Sequence, residues 1–463
     1  MRRPALLLCD RREAVVPPCS TIQGLPLRPA PPGTRVADRP HMQRPRARTY
    51  GLRRARIAWW RSPLPNLHHA LPRALAAAAL IGFCMPARGS VRPMVGSEKV
   101  HVVRRGETLF RIARRHGLSA LAVQRANGLP SRRIRPGMKL RLPTRHILPA
   151  VLPNGIVLNI PERALYVFVD GRLAGRYAVA VGMPSWQTAQ GQFRLRNRVI
   201  NPTWDPPDSM VRREGIRDVP VPPGPENPLG DRWMGWTKPG FGFHSTTLPR
   251  SIGLAASHGC VRLYPEAARR MFGQVKVGMP ILSLYEPLLL GTDNGRFYLA
   301  AHEDVYRTGR ASPERARALL EACGLLPLVD DRQVARILAR SAGVPERIAG
   351  EDEDVFVGDK KLVLPVAPLL AKGSWWVPVR PLVEALGGSV AAQAEGLFVV
   401  TAGGRTLLLS TRGAPAHAEG EAAAATVVDG TLVAPLRPLV HLHGATVDWE
   451  RRKALRIVPG SPR

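Results

Sequence analysis

The chain has 463 residues, of which 67 are Lys or Arg and 35 are Asp or Glu, so its formal net charge is +32. A chain of this length is expected to form about three domains. Because 45% of the residues are apolar, a protein that is disordered throughout is excluded. Five cysteines are too few for a disulfide scaffold, and the longest apolar run, residues 74–84, is too short to cross a bilayer. The composition therefore predicts a multidomain, basic protein without an integral membrane span.

Most of the positive charge lies in the first third of the chain. Thirty basic and five acidic residues precede Pro149, which gives this part a net charge of +25 and leaves +7 for the remainder. Residues 1–89 are rich in Arg and Pro and lack apolar periodicity, which argues against a packed domain there. At this point the charge indicates nucleic-acid binding, an anionic surface as partner, or an Arg-rich leader.

The end of this leader has the order of a secretory signal. Arg73 provides a positive flank, residues 74–84 form a short apolar core, and small residues follow at 87 and 89. A single buried Ala-rich helix is the alternative. We expect export to the cell envelope, in the periplasm or the cell wall. We expect no nucleic acid among the partners, because much of the charge is removed if the leader is absent from the mature protein.

Residues 100–143 alternate between strand and helix signals. After a short β-branched run, Thr108 and Ser119 each precede apolar residues at helical spacing, as capping residues do. An Asn-Gly pair at 127–128 ends the second helix, and a Pro-Gly pair at 136–137 turns the chain into a last strand. The segments GETL, NG and PGMKL occur in the order of the lysin motif (LysM) family, which this region resembles. The resemblance implies a βααβ module that binds the N-acetylglucosamine-containing glycan strands of peptidoglycan.

Residues 151–287 have a mainly-β pattern, with short apolar strands and frequent Gly and Pro. Within them Cys260 follows His258 and Gly259 directly, and His244 lies sixteen residues upstream. A nucleophilic cysteine needs a base that makes the thiolate, a glycine that allows close approach of the substrate, and donors for an oxyanion. These residue types fit that chemistry, and a buried structural cysteine fits the short match equally well.

The same region resembles the L,D-transpeptidase catalytic domain. The likeness covers about 130 residues and includes the TAQGQF turn at 188–193, the NPTWDPP segment at 201–207, and His244 followed by SHGCVR at 257–262. Ala189 replaces the Pro that is usual in the turn. The resemblance implies roles for seven residues: Cys260 as nucleophile, His244 as general base and acid, Ser245 as the carbonyl that orients the His244 ring, His258 and Gly259 at the oxyanion site, and Arg262 and Ser257 in substrate binding.

The implied reaction uses stem peptides of peptidoglycan and requires no metal and no cofactor. The thiolate attacks the third residue of a tetrapeptide stem, D-alanine leaves, and an amine of a second stem resolves the thioester into a 3-3 crosslink. Water as acceptor gives an L,D-carboxypeptidase, and a lipoprotein amine gives an anchoring transferase. A non-catalytic peptidoglycan-binding wall protein is the further alternative. The sequence leaves the oligomeric state open.

Two further regions follow the catalytic match. Residues 288–350 predict a strand and then two helices, which start at Ser312 and Asp331, with Cys323 as a small buried residue. Residues 355–459 contain an internal repeat, because VPVRPLV at 377–383 returns 57 residues later as APLRPLV. This layout resembles the copper amine oxidase N-terminal-like domain, which implies an α+β repeat domain that binds no copper. His441 and His443 lie in the second copy, and we assign them no metal.

Overall fold

The computed structural model describes residues 91–412, 421–450 and 454–460, so the predicted leader and its signal segment lie outside the described residues. The first elements are β1 (Arg92–Val95), β2 (Lys99–Val102), α1 (Leu109–Arg115), α2 (Ala120–Ala126), β3 (Lys139–Leu142) and β4 (His146–Ile147). Strands β2 and β3 pair antiparallel and flank the two helices, in the predicted βααβ order. The Thr108 and Ser119 side chains accept hydrogen bonds from the amides of Arg111 and Ala122, so both predicted helix starts are confirmed.

The LysM-like module is inserted between two strands of another sheet. The chain enters it from β1 and leaves it into β4, and these two strands pair with each other through Met94–Ile147 and Val95–His146. Strand β1 also pairs with a strand that begins at Leu288. Strands β1 and β4 were not predicted from the sequence, because strands of four and two residues are too short to show alternation. Both ends of the module are therefore fixed.

The catalytic region is a mainly-β domain. Its elements are β5 (Gly155–Asn159), β6 (Ala164–Val169), β7 (Arg172–Gly182), β8 (Gly191–Ile200), α3 (Asp208–Glu214), β9 (Arg232–Trp236), β10 (Gly242–His244), β11 (Ala255–Ser257), β12 (Val261–Leu263), α4 (Pro265–Gln274) and β13 (Pro280–Leu284). The strand order is β11-β7-β12-β10-β9-β8-β13-β5-β6, and β6 pairs back onto β7. The sheet therefore closes on itself around a core that includes Val167, Trp236 and Phe243.

The region after the catalytic domain differs from the predicted strand plus helices. It contains β14 (Leu288–Asp293), β15 (Arg296–Ala301), α5 (Pro313–Ala322), α6 (Asp331–Arg340) and β16 (Glu346–Ala349). These three strands join β1 and β4 in one sheet of order β16-β15-β14-β1-β4. Helix α6 starts at Asp331, as predicted, and the side chain that caps it is that of Asp330, which accepts from the amide of Arg332. The predicted burial of Cys323 is confirmed. This region, called the extension below, is a mixed sheet covered by helices.

The C-terminal part contains β17 (Asp354–Val357), β18 (Lys360–Lys361), β19 (Leu369–Ala371), β20 (Ser374–Pro378), α7 (Val379–Ala385), β21 (Ser389–Ala394), β22 (Leu397–Ala402), β23 (Arg405–Ser410), β24 (Glu421–Ala424), β25 (Thr426–Val428), β26 (Thr431–Pro435), α8 (Leu436–Leu442), β27 (Thr446–Glu450) and β28 (Ala454–Val458). The repeat appears as β20-α7-β21 and β26-α8-β27. Val377 pairs with Ala434, its own counterpart in the second copy, so the two copies meet about a local two-fold axis. Leu369 and Val433 share a core with Phe297 and Leu299 of the extension.

Among the described residues, the helices are all too short or too polar to pass through a bilayer.

Candidate active site

Cys260 lies in the turn between β11 and β12, at the centre of the closed sheet. Strand β12 runs parallel to β10, with Arg262 opposite His244, and antiparallel to β7 on its other side. This register brings Cys260 to the start of β10, where its half-buried thiol donates a hydrogen bond to the carbonyl oxygen of Gly240 at 3.3 Å. The cysteine and the histidine are thus carried by two adjacent strands.

The backbone on both sides of the thiol is held by hydrogen bonds. Gly259 has a φ of +105°, and a Cβ there would lie 3.0 Å from the ring of Phe241, so both conformation and space favour glycine. Its carbonyl accepts a hydrogen bond of 2.9 Å from the Thr188 hydroxyl. The Ser257 hydroxyl donates to the carbonyl of Cys260 itself. The turn that presents the thiol is therefore fixed by two buried hydroxyl groups.

The His244 ring is buried and oriented by its neighbour. Its Nδ1 lies 2.6 Å from the carbonyl oxygen of Ser245, the contact that the resemblance implied. A ring nitrogen that faces a carbonyl oxygen carries the proton, so in the neutral ring Nε2 is the proton acceptor. The Ser245 hydroxyl donates to Asp231 at 2.9 Å, and Asp231 accepts from Arg269 at 2.6 Å. A chain of polar contacts thus extends from the ring to the surface of α4.

Burial makes the resting pair neutral. Burial, followed by the positive charge of Arg262, lowers the pKa of His244 to about 4, and the Ser245 and Leu229 carbonyls oppose this shift. Burial raises the pKa of the Cys260 thiol to about 11, against the amide of Gly242 and the charge of Arg262. At neutral pH the site therefore holds a thiol and an uncharged imidazole, not a preformed thiolate and imidazolium pair.

His258 has surroundings that the sequence did not predict. Its Nε2 lies 2.8 and 3.0 Å from the two carboxylate oxygens of Glu214 at the end of α3. Its ring makes an edge contact with Trp186 at 5.3 Å, and the guanidinium of Arg213 lies 4.0 Å from the centre of the Trp186 ring. Glu214 is 44 residues from His258 and looks like any acidic residue of an exposed helix, so no sequence signal identified it. The short helix α3 covers this side of the site.

The structure brings six of the seven predicted residues to one edge of β10 and β12, in the order Ser257, Gly259, Cys260, Arg262, His244 and Ser245. The ring of His258 turns toward α3 instead. Asn227, the first residue of the NPLG segment at 227–230, is fully buried. Its amide donates to the carbonyls of Pro202 and Val221 at 2.8 and 3.0 Å and so closes the long loop beside Ser245. Among the described residues, groups of three or more His, Cys, Asp or Glu side chains with the geometry of a metal site are absent.

The fold and the site together define a multidomain protein with a cysteine and a histidine on adjacent strands of a closed β sheet. Three family models match the chain in succession: the LysM domain at residues 101–143, the L,D-transpeptidase catalytic domain at 153–282, and the copper amine oxidase N-terminal domain at 356–457. The Bacillus licheniformis protein named "Putative L,D-transpeptidase YkuD" is 30% identical to this chain. The match covers 36% of this chain and 86% of the relative. The chain belongs to the L,D-transpeptidase family, and all three predicted resemblances are confirmed.

Two other comparisons are more distant. The Escherichia coli protein named "Probable L,D-transpeptidase YcfS" is 29% identical over 49% of this chain and 77% of its own. A crystal structure of an Enterococcus faecium L,D-transpeptidase variant is 22% identical, with a TM-score of 0.23. The match spans 29% of this chain and about half, 51%, of that one. At this similarity the solved structure adds nothing to the assignment.

Proposed function

We propose that the protein is an exported peptidoglycan L,D-transpeptidase that forms 3-3 crosslinks through a thioester on Cys260. The single observation that carries the proposal is the arrangement of Cys260 and His244 on adjacent strands. The thiol lies in a turn whose carbonyls are held by Thr188 and Ser257, and the Ser245 carbonyl orients the imidazole. Membership of the family supports the choice of peptidoglycan stems as substrates, and the LysM match supports binding of the same polymer.

The proton balance of the reaction follows from the neutral pair. His244 takes the thiol proton as Sγ bonds to the carbonyl carbon of the third stem residue, and it returns that proton to the nitrogen of the departing D-alanine. The acceptor amine then attacks the thioester and loses its proton to His244, which passes it back to the Cys260 sulfur. An imidazole with a pKa near 4 is a weak base, but its protonated form is a strong acid for the leaving amine.

Substrate binding would remove one cause of the weak basicity of the imidazole. Burial lowers the pKa of His244 most, and the positive charge of Arg262 is the second cause. A stem carboxylate paired with the planar guanidinium of Arg262 would neutralise this charge and raise the pKa of His244. The base is then stronger when a substrate is bound than in the free protein, although the ring stays buried. In this scheme the backbone amides of Gly259 and Cys260 stabilise the oxyanion, and the His258 ring, paired with Glu214 of α3, lies beside them.

The decisive test compares two cysteines. Cys260→Ala should abolish release of D-alanine from a defined tetrapeptide muropeptide, because no atom remains that can form the thioester. Cys323→Ala is the matched control, since Cys323 is buried in the core of the extension. Products are resolved by mass spectrometry, which also separates crosslinked dimer, hydrolysed tripeptide and a lipoprotein conjugate. Full turnover by Cys260→Ala would refute the proposal. After treatment of the wild type with a carbapenem, an adduct on the peptide that contains Cys323 would refute it as well.

Export is tested separately from chemistry. We expect the mature protein to begin near residue 90, after the signal-like segment, and N-terminal sequencing of the protein from its native cell decides this. An intact cytoplasmic form that begins at Met1 would contradict export. Binding to insoluble peptidoglycan without any turnover would instead support a wall-binding protein without catalysis.

A further inference from the structure

The chain returns to the catalytic domain just after β15. Tyr306 lies in this return, beyond the residues that match the catalytic family, and its side chain is buried in the catalytic core. Its ring stacks on Tyr285 with 5.2 Å between ring centres. Its hydroxyl accepts a hydrogen bond of 3.0 Å from the amide of Thr188 and donates one of 3.1 Å to the carbonyl of Gly182.

The two partners of this hydroxyl are linked directly to the nucleophile turn. The amide of Gly182 donates to the Thr188 hydroxyl at 2.8 Å, and the same hydroxyl donates to the carbonyl of Gly259 at 2.9 Å. Gly259 is bonded to Cys260. Thr188 is thus held on one side by Tyr306 and holds the residue before the nucleophile on the other.

The return segment is itself rigidly attached. The amide of Tyr306 donates to the Tyr285 hydroxyl at 2.8 Å, and the Tyr285 hydroxyl donates to Asp304. Glu303 accepts from Arg163 of the catalytic domain at 2.6 Å. A phenylalanine would fill the same apolar space as Tyr306, so packing alone does not account for the buried hydroxyl. Its two hydrogen bonds do account for it, because a buried polar group without partners is costly.

We propose that Tyr306 is a positioning residue for the Cys260 turn, acting through Thr188, and that the extension is therefore part of the catalytic machinery. The inference rests on the proposed role of Cys260 as nucleophile. Without the Tyr306 hydroxyl the Thr188 amide loses its acceptor, the Gly259 carbonyl is held less firmly, and the thiol moves relative to the Gly242 amide and His244. Small misplacements of reacting atoms are expensive in rate.

The test compares two Tyr→Phe variants of the full chain. Tyr306→Phe removes the hydroxyl next to Thr188. Tyr177→Phe is the matched control, because Tyr177 is buried in the same core and its hydroxyl bonds to Gln274, away from the nucleophile turn. The readouts are kcat and KM for tetrapeptide turnover, the pH profile of Cys260 alkylation by iodoacetamide mapped by mass spectrometry, and the melting temperature. Thr188→Val and Thr188→Ser form a second pair, since only the serine keeps the hydroxyl.

For Tyr306→Phe we expect kcat to fall about tenfold with little change in KM, and alkylation of Cys260 to need a higher pH. Tyr177→Phe should keep wild-type values. Thr188→Val should behave like Tyr306→Phe, and Thr188→Ser should lose less activity than Thr188→Val because it keeps the hydroxyl. Identical alkylation profiles and kcat values for Tyr306→Phe and Tyr177→Phe would overturn the inference. If the wild type turns over no stem peptide, the proposed function fails, while the alkylation profiles still decide the role of Tyr306. If Tyr306→Phe does not fold, the Thr188 pair decides it.

Discussion

The catalytic domain is attached to its two neighbours by different kinds of contact. On the LysM side the contacts include an ion pair, with Arg114 and Glu266 forming two hydrogen bonds of 2.7 and 2.6 Å between side chains that are about one third exposed, and an edge contact between the rings of Phe110 and Tyr264. Arg114 also lies over the ring of Tyr264. On the extension side the contacts include a buried, uncharged hydrogen-bond network between Tyr306 and Thr188, besides the ion pair of Arg163 with Glu303.

Because of this difference, we expect the ion pair on the LysM side to respond to the salt concentration. We expect the hydrogen-bond network on the extension side to respond to mutation. Exposed ion pairs contribute little and are screened by salt, so the LysM contact can change without loss of the fold. A buried hydrogen-bond network is indifferent to salt, but the loss of one partner leaves another polar group unpaired. We therefore expect the catalytic site to depend more closely on the extension than on the LysM module. Three predictions test this comparison.

The largest expected effect comes from one substitution made in each neighbour. Leu299→Ala in the extension and Leu140→Ala in the LysM module each remove a fully buried side chain, at a cost of about 2–5 kcal/mol in the free energy of unfolding. Leu299→Ala should also lower tetrapeptide turnover. Leu140→Ala should reduce sedimentation with insoluble peptidoglycan and leave turnover of soluble tetrapeptide intact. Equal loss of turnover in both variants would show that the two attachments do not differ.

An effect of intermediate size on the free energy of unfolding is expected when the pH is lowered. Burial lowers the pKa of both His244 and His302 to about 4, from a model-peptide value of 6.5. The unfolded chain binds these protons first, so stability is full above about pH 6.5 and falls as the pH drops toward 4. Between pH 7 and pH 5 each histidine should remove on the order of 1–2 kcal/mol. Urea midpoints at the two pH values measure this loss.

The LysM contact should not respond over the same range of pH. Glu266 has its pKa lowered, first by the hydrogen bond from Arg114, so the stabilisation from this pair is present above about 4.5 and lost below it. His302→Gln should reduce the loss of stability between pH 7 and pH 5 by the share of His302, and Glu266→Gln should not. If stability depends on pH in the same way in His302→Gln and in the wild type, a group other than His302 causes the loss of stability.

The smallest effect is expected for the ion pair itself. In a double-mutant cycle of Arg114→Ala and Glu266→Ala we expect a coupling energy of about 0–1 kcal/mol, which salt near 0.5 M should abolish. The double cycle is measured by urea denaturation at low and high salt. A coupling above about 2 kcal/mol that survives the salt would remove the distinction between the two attachments.

What the sequence could predict depended on how local the signal was. Thr108, Ser119 and Ser312 act on amides within three residues, and all three cap the helices that they precede. The pairing of β1 with β14 joins residues almost 200 positions apart and left no trace in either short segment. The roles suggested by Glu214 and Tyr306 were missed for the same reason. Their partners His258 and Thr188 are 44 and 118 residues distant.

The insertion of the LysM-like module between β1 and β4 bears on where along the polymer the enzyme works. A module on a flexible linker would let the active site search a volume whose radius grows with linker length. Here the chain enters and leaves through two paired strands, and the module cannot swing without breaking Met94–Ile147 and Val95–His146. Under the proposed function, the distance between the glycan-binding module and the active site is therefore constant. A glycan strand held by the module presents its stems at one distance and one angle, and crosslinks are made at a set spacing from the point of binding.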